Sequence, residues 1–442
     1  MAAESFISLW SALEKFVGRA AIAFDGQWQR RKRRIDTRLL LFFIFRLVLA
    51  KNSQGYGVTL DELWEDGKQR LGLCGKAVSR SSIAAARRKL HEGVFRLLNE
   101  GIVAAFEAAC PRQALWYGHR VFAIDGTKLS LPRALTAQGF PVPSNGFYPM
   151  GLVSCLYRLA AKIPYDFQLA RHGDERACVF DHLQHLQRGD VVVYDAGYLS
   201  YVLLNRHIQT GIYCVFRVQE GSTFKTIDAF RHSSARDRVV DLWPGHRALE
   251  KRRKEQPDVL QVPLRIRLIK YRVDGVEHCL VTNLVSKRYK IKHLARLYHG
   301  RWSLEELYKV SKRLIEVEDF HTKSERGVRQ ELYANFVLIS LARLIASQAE
   351  WHQMGGREPR RVEARLFHRV QANFKHVLTL LERHLMDLLV RRPRAALQRL
   401  LAELLDRVIR LSTKARPGRH YARRSKRPFR RWMPNAHASQ PA

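Results

Sequence analysis

No two of the six cysteines, Cys74, Cys110, Cys155, Cys178, Cys214 and Cys279, are spaced as C-x2-C. That argues against a zinc site. Most of them fall in apolar sequence and read as small core residues in a reducing compartment. Long hydrophobic runs are missing too. The longest, residues 39–50, is interrupted by Arg46 and is too short to span a bilayer, so it reads as a buried helix. The first residues, MAAESFISLWSALEKF, carry Glu4 and Glu14 and lack the basic start and apolar run of a secretory signal. No internal repeat or low-complexity tract is apparent.

Acidic residues are scarce. Lys and Arg number 77 against 41 Asp and Glu, a net charge of +36. Solubility needs far less, so the excess points to a polyanionic partner. No amphipathic stretch gathers the basic residues, which favours DNA or RNA over a membrane. A generic basic protein, such as a ribosome-associated factor, is the competing reading. Hydrophobic residues make up 46% of the 442 positions, enough for two to four domains with a real core.

Residues 1–115 are helical in pattern. Ser11-Ala12-Leu13-Glu14 and Thr59-Leu60-Asp61-Glu62 fit the capping box that opens a helix, a pattern also common by chance. Residues 79–90 (SRSSIAAARRKL) form a further helix with Arg80, Arg87, Arg88 and Lys89 available outside. This helix and the one after Thr59, joined through Gly72 and Gly75, read either as a helix-turn-helix or as an ordinary helical pair. The run Arg30-Arg31-Lys32-Arg33-Arg34 suits phosphate contact or simple solvation.

From His119 the period changes. Residues 120–124 (RVFAI) form an apolar strand running into a turn at Asp125-Gly126-Thr127. Residues 151–161 and 163–170 read as strands and 174–186 as a helix. A β-branched run at 190–194 ends at Asp195-Ala196-Gly197-Tyr198; helix 199–209 and strand 212–218 follow, with Arg217 near the strand's end. This is a mixed α/β sheet. Asp125 and Asp195 each end a buried apolar strand, where functional groups concentrate in such sheets. A lone Asp there also serves as a cap or turn residue. Residues 219–290 read as a β-rich insertion, with strands at 259–262, 264–271 and 278–284, a hairpin turn at Asp274-Gly275 and a charged turn at 247–254. Residues 331–349 form an apolar helix, and 360–412 two or three amphipathic ones. The tail from Lys414 to Arg431 holds nine Lys/Arg with Pro417, Gly418 and Pro428, and is predicted to be disordered alone and to bind phosphate.

The stretch from Tyr298 to Lys312 (YHGRWSLEELYKVSK) organises the rest. Read as one helix at about 100° per residue, it places Arg301, Glu305 and Lys312 within roughly 60° of Tyr298. A carboxylate flanked by two cations suits a metal ligand beside a phosphate backbone. Arg301 and Glu305 are also spaced i,i+4, the pattern of a plain surface salt bridge. Gly300 weakens the helix. With Asp125 and Asp195, Glu305 makes a third carboxylate of the hard-oxygen kind that divalent ions prefer.

In these residues the chain resembles the DDE transposases of the insertion-sequence-4 type. Tyr298, Arg301, Glu305 and Lys312 fit that family's Y-x2-R-x3-E-x6-K. Asp125-Gly126-Thr127 with Leu129-Ser130-Leu131-Pro132 is similar to its first-Asp motif, and Asp195-Ala196-Gly197-Tyr198 to its D-x-G-Y. Leu280-Val281-Thr282-Asn283-Leu284 and Arg416 to Arg419 (RPGR) look familiar as well. The resemblance implies a ribonuclease-H-like mixed-sheet catalytic core at 116–218 and 291–350, with the β-rich insertion at 219–290. A helical DNA-binding region at 1–115, a helical C-terminal region at 351–413, which reads as a dimerisation surface or equally as intramolecular packing, and a basic tail at 414–442 flank it. It implies two Mg²⁺ ions, with Mn²⁺ as a substitute, held by Asp125, Asp195 and Glu305. It implies hydrolysis at the inverted-repeat ends of an element and attack of the freed 3′-OH on target DNA, by a homodimer in the nucleoid of a bacterial cytoplasm, without a membrane. Some members pass through a DNA hairpin. In those, residues matching Tyr298, Arg301 and Lys312 contact nearby phosphates, and an insertion-domain Trp stacks an extruded base. Trp243 lies in the insertion; Trp302 reads equally as core packing behind the motif helix. Arg217 could reach DNA or serve a structural ion pair. An inactive DNA-binding relative and a metal-dependent nuclease without strand transfer are the alternatives.

Overall fold

The structure is a computed structural model that describes residues 3–29, 34–50, 55–109, 115–221, 224–244, 262–313, 315–353, 370–390 and 392–414. Most of the basic run at 30–34, Cys110, the charged turn at 247–254, most of the strand expected at 259–262, residues 360–369, RPGR and the basic tail beyond 414 lie outside the described residues.

Five helices come first: α1 (Ala3–Trp28), α2 (Thr37–Leu49), α3 (Tyr56–Arg70), α4 (Arg80–Lys89) and α5 (Gly93–Ala109). The two capping boxes do not open helices. Ser11 lies inside α1, because the apolar periodicity begins upstream with Phe6, Leu9 and Trp10, all buried. Thr59 is buried inside α3, which starts after Gly55. The side chains that do cap are Asp36 and Ser79, which accept from Leu39 N and Ser82 N. Between α3 and α4 the chain runs from Leu71 to Ser79, longer than the three- or four-residue turn of a helix-turn-helix. Arg87, expected outside, is 3% exposed: its Nη2 lies 2.6 Å from Glu331 Oε1 and its Nε donates to Gln330.

The sheet begins with the short β1 (Leu115–Trp116) and the long β2 (His119–Ser130), then β3 (Met150–Arg158) and β4 (Ile163–Ala170). After α6 (Glu175–Leu183) come β5 (Val191–Tyr194), α7 (Tyr201–Thr210) and β6 (Tyr213–Arg217); after α8 (Lys225–His232), the strands β7 (Asp237–Leu242), β8 (Leu264–Val273) and β9 (Val276–Thr282). The order is β4-β3-β2-β5-β6-β9-β8-β7, with β1 paired to β2. β2, β3 and β4 are antiparallel neighbours, while β5 and β6 run parallel to β2. That is the ribonuclease-H-like arrangement. The strands of the 219–290 segment extend it, because β9 pairs directly with β6. Asp274 and Gly275 take φ of 49° and 81°, the left-handed pair that closes a two-residue hairpin between β8 and β9.

Alternation along β2 sorts the two faces. Phe122 and Ile124 pack with Val192, Tyr194 and Phe216 against α6, α7 and α8. Val121 and Ala123 point the other way, with Val193, Val215 and Leu280. That second face meets α9 (Ile291–His299), α10 (Trp302–Arg313) and α11 (Glu325–Gln353). α11 is the one described helix long and apolar enough to cross a bilayer, and 94% of its apolar window is buried in the fold. It packs on α2, α5 and β4, and on α12 (Phe374–Leu389) and α13 (Arg394–Arg410). The first five helices, the sheet and the last helices thus share one core.

A buried row ties α6 to the sheet. Ser154 Oγ lies 2.9 Å from His182 Nε2, and His182 Nδ1 lies 2.7 Å from Asp166 Oδ2. It has the residues of a nucleophilic triad, but all three are buried, Ser154 and His182 completely, so it braces structure and meets no substrate.

Candidate active site

Asp125 does not end a strand. β2 continues through Asp125, Gly126 and Thr127 to Ser130, because β3 pairs along that whole length, with Asp125 opposite Cys155. What ends near Asp125 is the other neighbour. β5 pairs Val191, Val192 and Val193 with Val121, Phe122 and Ala123, and stops at Tyr194. Continuing that register sets Asp195 opposite Asp125. Adjacent strands lie about 4.8 Å apart, so the two carboxylates start as neighbours where the sheet opens. By alternation Asp125 points to the face of Val121 and Ala123, toward α9 and α10.

Asp195 begins a short 3₁₀ turn (Ala196–Tyr198), yet its side chain makes no capping hydrogen bond. Its Oδ1 instead accepts from Tyr298 Oη at 3.2 Å and lies 3.6 Å from Arg217 Nε, at the end of β6. Arg217 is therefore in an ion pair with this carboxylate.

Residues 298–312 are two helices, not one. α9 ends at His299, Gly300 turns the chain, and α10 starts at Trp302. The junction is tight: Arg301 N bonds to Tyr298 O, Ser303 N to Gly300 O and Leu304 N to Arg301 O. A Cβ at position 300 would stand 3.1 Å from Leu297 O, which suits glycine at the bend. The bend aims Arg301 inward. Its Nη1 lies 3.2 Å from Asp125 Oδ2 and its Nη2 2.8 Å from Glu305 Oε1. The surface salt-bridge reading fails, since the Arg301 side chain is 6% exposed and reaches a second carboxylate. Tyr308, one turn beyond Glu305, donates to Asp125 O at 2.7 Å and fixes α10 on β2. Lys312 Nζ donates to Lys128 O at 2.7 Å, farther along β2.

Burial is the main reason that the Asp125 carboxyl is pushed up to about 6; Arg301 and the Gly126 N–H pull it down, while Glu175 and Asp195 push it up further. Burial raises the Tyr298 phenol to about 12. For Arg301, burial works against the charge, but Tyr298, Asp195, Asp125 and Glu305 outweigh it and raise its basicity.

Among the described residues no three His, Cys, Asp or Glu side chains stand ready-made around a cation position. Arg301 lies between Asp125 and Glu305 instead. The donor set nevertheless fits hard divalent ions, because the side-chain donors are carboxylate oxygens. Asp125, Asp195 and Glu305 are the residues that would hold them.

Trp243 is not brought to this cluster. β7 lies five strand positions from β2, roughly 24 Å across the sheet. It also runs antiparallel to β6 through the β6–β9–β8–β7 pairings, so Trp243 leaves from the edge opposite Asp125 and Asp195. Trp302 is 58% exposed, which excludes core packing. It follows Arg301 directly, with the His299 ring 5.4 Å away. Glu175, at the start of α6 and close enough to act on Asp125, escaped the sequence reading. After the cap residue Asp174 it looks like any acid in a first helical turn.

Residues 116–341, just over half of the chain, match the profile of the family described as transposase DDE domain. A presumptive transposase of Sinorhizobium fredii, y4zB, is 26% identical over 164 residues, 36% of this chain. The match spans 44% of that relative's length. Among solved structures, the piggyBac transposase in a synaptic complex with hairpin DNA overlaps 98% of this chain and 91% of its own, at a TM-score of 0.41 and 11% identity.

Proposed function

The chain belongs to the transposase DDE domain family, and from that premise we propose that it cuts DNA at the inverted-repeat ends of an insertion sequence of the insertion-sequence-4 type and joins the freed ends to a target. The observation that carries this reading is the meeting of three carboxylates at the open end of the central strands: Asp125 and Glu305 share the Arg301 guanidinium, and Asp195, beside Asp125 in register, pairs with Arg217.

On this reading Asp125, Asp195 and Glu305 hold two Mg²⁺ ions, with Mn²⁺ as a substitute. Such ions supply activation of the attacking oxygen and charge neutralisation at the leaving oxygen. The chain's own cations do the rest. Arg301 exchanges its carboxylate partners for the scissile phosphate, and a guanidinium suits two phosphate oxygens at once. Tyr298 keeps its proton, its phenol being raised to about 12, and so donates to a phosphate oxygen. Lys312 and Arg217 flank the strand. Trp302, exposed beside Arg301, stacks an unpaired base if the cut end closes into a hairpin. Trp243 lies too far across the sheet for that task.

The net charge of +36 supports DNA as the partner. The helices of 1–115 and the tail of 414–442 are proposed to bind the ends, and the helices of 351–413 to join two copies in the synaptic complex in the bacterial nucleoid. A gel assay with labelled end duplexes, unlabelled target and Mg²⁺ tests the reading. Nicked ends, followed by joined products, are expected. Nicking without joining would leave a nuclease; salt-sensitive binding with neither would leave a DNA-binding relative.

A further inference from the structure

A loop that the carboxylate site does not use lies beyond the far end of β2. After Ser130 the chain makes a 3₁₀ turn (Arg133–Gln138) and then crosses residues 139–149 to enter β3. The crossing is held at both ends. Leu131 N donates to Pro149 O and Met150 N to Pro141 O, each at 2.8 Å, and Gly146 N donates to Pro143 O at 2.9 Å. Leu135 and Phe140 anchor it from below and are fully buried. On this frame residues 141–148 are all exposed.

Two of them are large rings. Phe147 is 59% exposed and Tyr148 49%. The rings meet edge to face with centroids 5.0 Å apart, and neither joins a hydrophobic core. Arg133 reaches over from the 3₁₀ turn and sets its guanidinium 4.1 Å from the Phe147 centroid. A cation on one face orients the ring and leaves its outer part open.

Charge says what covers this surface. From residue 126 to residue 165 the chain has no Asp or Glu, whereas Lys128 and Arg133 stand on the approach to the loop. The acids that other elements bring near are already engaged: Glu318 accepts from Ser130 N, and Glu325 pairs with Arg171 and Arg329. Rings and uncompensated cations together suit bases and phosphates.

Direction agrees. α10 runs along β2, so that Arg301 meets Asp125 while Lys312 bonds to Lys128 O. From Asp125 to Ser130 the strand advances about 17 Å, the rise of about five base pairs. DNA held by Arg301 at the bond to be cut and by Lys312 farther on arrives at Arg133 and the two rings. An exposed Phe beside an Arg is the pairing that opens a base step and grips the adjoining backbone. We infer that Phe147 and Tyr148 wedge into the bound DNA at a base step about five to seven base pairs from the bond that is cut, with Arg133 on the adjacent phosphate.

This rests on the DNA-cutting reading above, and the experiment keeps the two apart. 2-Aminopurine, a base analogue that brightens when unstacked, is placed at one position at a time along an end duplex, on both sides of the cut. Its fluorescence and the binding affinity are measured in EDTA with the full-length chain, for wild type, Phe147→Ala and Phe147→Tyr. Cleavage of the same duplexes is measured with Mg²⁺. Wild type is expected to brighten the probe about five to seven base pairs from the cut. Phe147→Ala is expected to lose that signal and to bind about fivefold or more weakly, with an unchanged melting temperature, because the ring packs on no core. Phe147→Tyr keeps the ring and is expected to keep both signal and affinity. A wild type that binds and cuts but brightens no probe in that window, or a Phe147→Ala variant that brightens it as wild type does, would overturn the wedge and leave the cutting reading standing. A wild type that neither binds nor cuts would overturn both. Wild-type affinity in Phe147→Ala together with a changed oligomeric state in the ultracentrifuge would assign the loop to a second copy of the chain and also overturn the wedge.

Discussion

Arg301 and Glu305 are one helical turn apart, but the bond between them is only half of the arrangement: the same guanidinium reaches Asp125 on the central strand, with Nη1 to Oδ2 at 3.2 Å and Nη2 to Glu305 Oε1 at 2.8 Å. In the absence of metal it holds two of the three carboxylates together. Removing it leaves those acids to repel each other. Arg301→Ala should therefore melt at a lower temperature than wild type in EDTA, and Mg²⁺ should raise its melting temperature by more than it raises that of wild type. End cleavage should fall by about 10²–10³-fold, the usual cost of losing one transition-state donor. An Mg²⁺-induced shift no larger than that of wild type would refute the bridging role.

The pH dependence follows from Asp125. In the folded, metal-free protein it holds its proton to about pH 6, against an ordinary value of 3.8, chiefly because it is buried. Between those values the folded state binds more protons than the unfolded one, so this group's contribution falls as pH rises through the window and is level above it. Asp125→Asn removes that loss. Its stability relative to wild type should rise from pH 4 to pH 7 by up to about 3 kcal/mol. Denaturant titrations in EDTA at several pH values check this; parallel curves for the two proteins would refute it.

Much of this was legible from residue patterns. The apolar strands before Asp125 and Asp195 marked both residues, and the alternation of strands and helices gave the sheet. Register was not legible. Only the pairing of Val121 with Val191 reveals that the two Asp face each other. Nor could a pattern show that β3 would carry β2 straight through Asp125-Gly126-Thr127, since a sequence that suits a turn also suits a strand with a partner along its length. Gly300 did mark the bend between α9 and α10, but helical periodicity on either side outweighed it. Arg87 and Arg88 are adjacent and alike in sequence; one is buried and the other exposed because α11 covers only one side of α4.

That pair gives a stability prediction. Arg87 joins Glu331, Gln330 and Gly327 O inside the fold, and His321 also bonds to Glu331. Arg87→Met should cost about 3–5 kcal/mol, because a buried carboxylate loses its partner. Adding Glu331→Gln should restore a large part of it. Arg88→Ala should leave the melting temperature nearly unchanged and weaken DNA binding. Thermal melts and a salt-dependent binding isotherm distinguish the two arginines; equal melting temperatures for the two single variants would contradict the structure.

The two tryptophans should also part company. Trp302 is 58% exposed beside Arg301, and Trp243 is 65% exposed at the far edge of the sheet. Each alanine variant should keep stability within about 0.5 kcal/mol of wild type, as surface changes do. Trp302→Ala should slow end processing, measured on labelled end duplexes, and Trp243→Ala should not. The reverse pattern would move base stacking to the outer strands.

The most direct test of the central claim is cleavage of a supercoiled plasmid carrying the element's own ends, by wild type and by Glu305→Ala, with and without Mg²⁺. Cleavage by wild type only in the presence of Mg²⁺, and none by Glu305→Ala in either condition, is the predicted result. Cleavage by Glu305→Ala at the wild-type rate, or by wild type in EDTA, would contradict the carboxylate site described here.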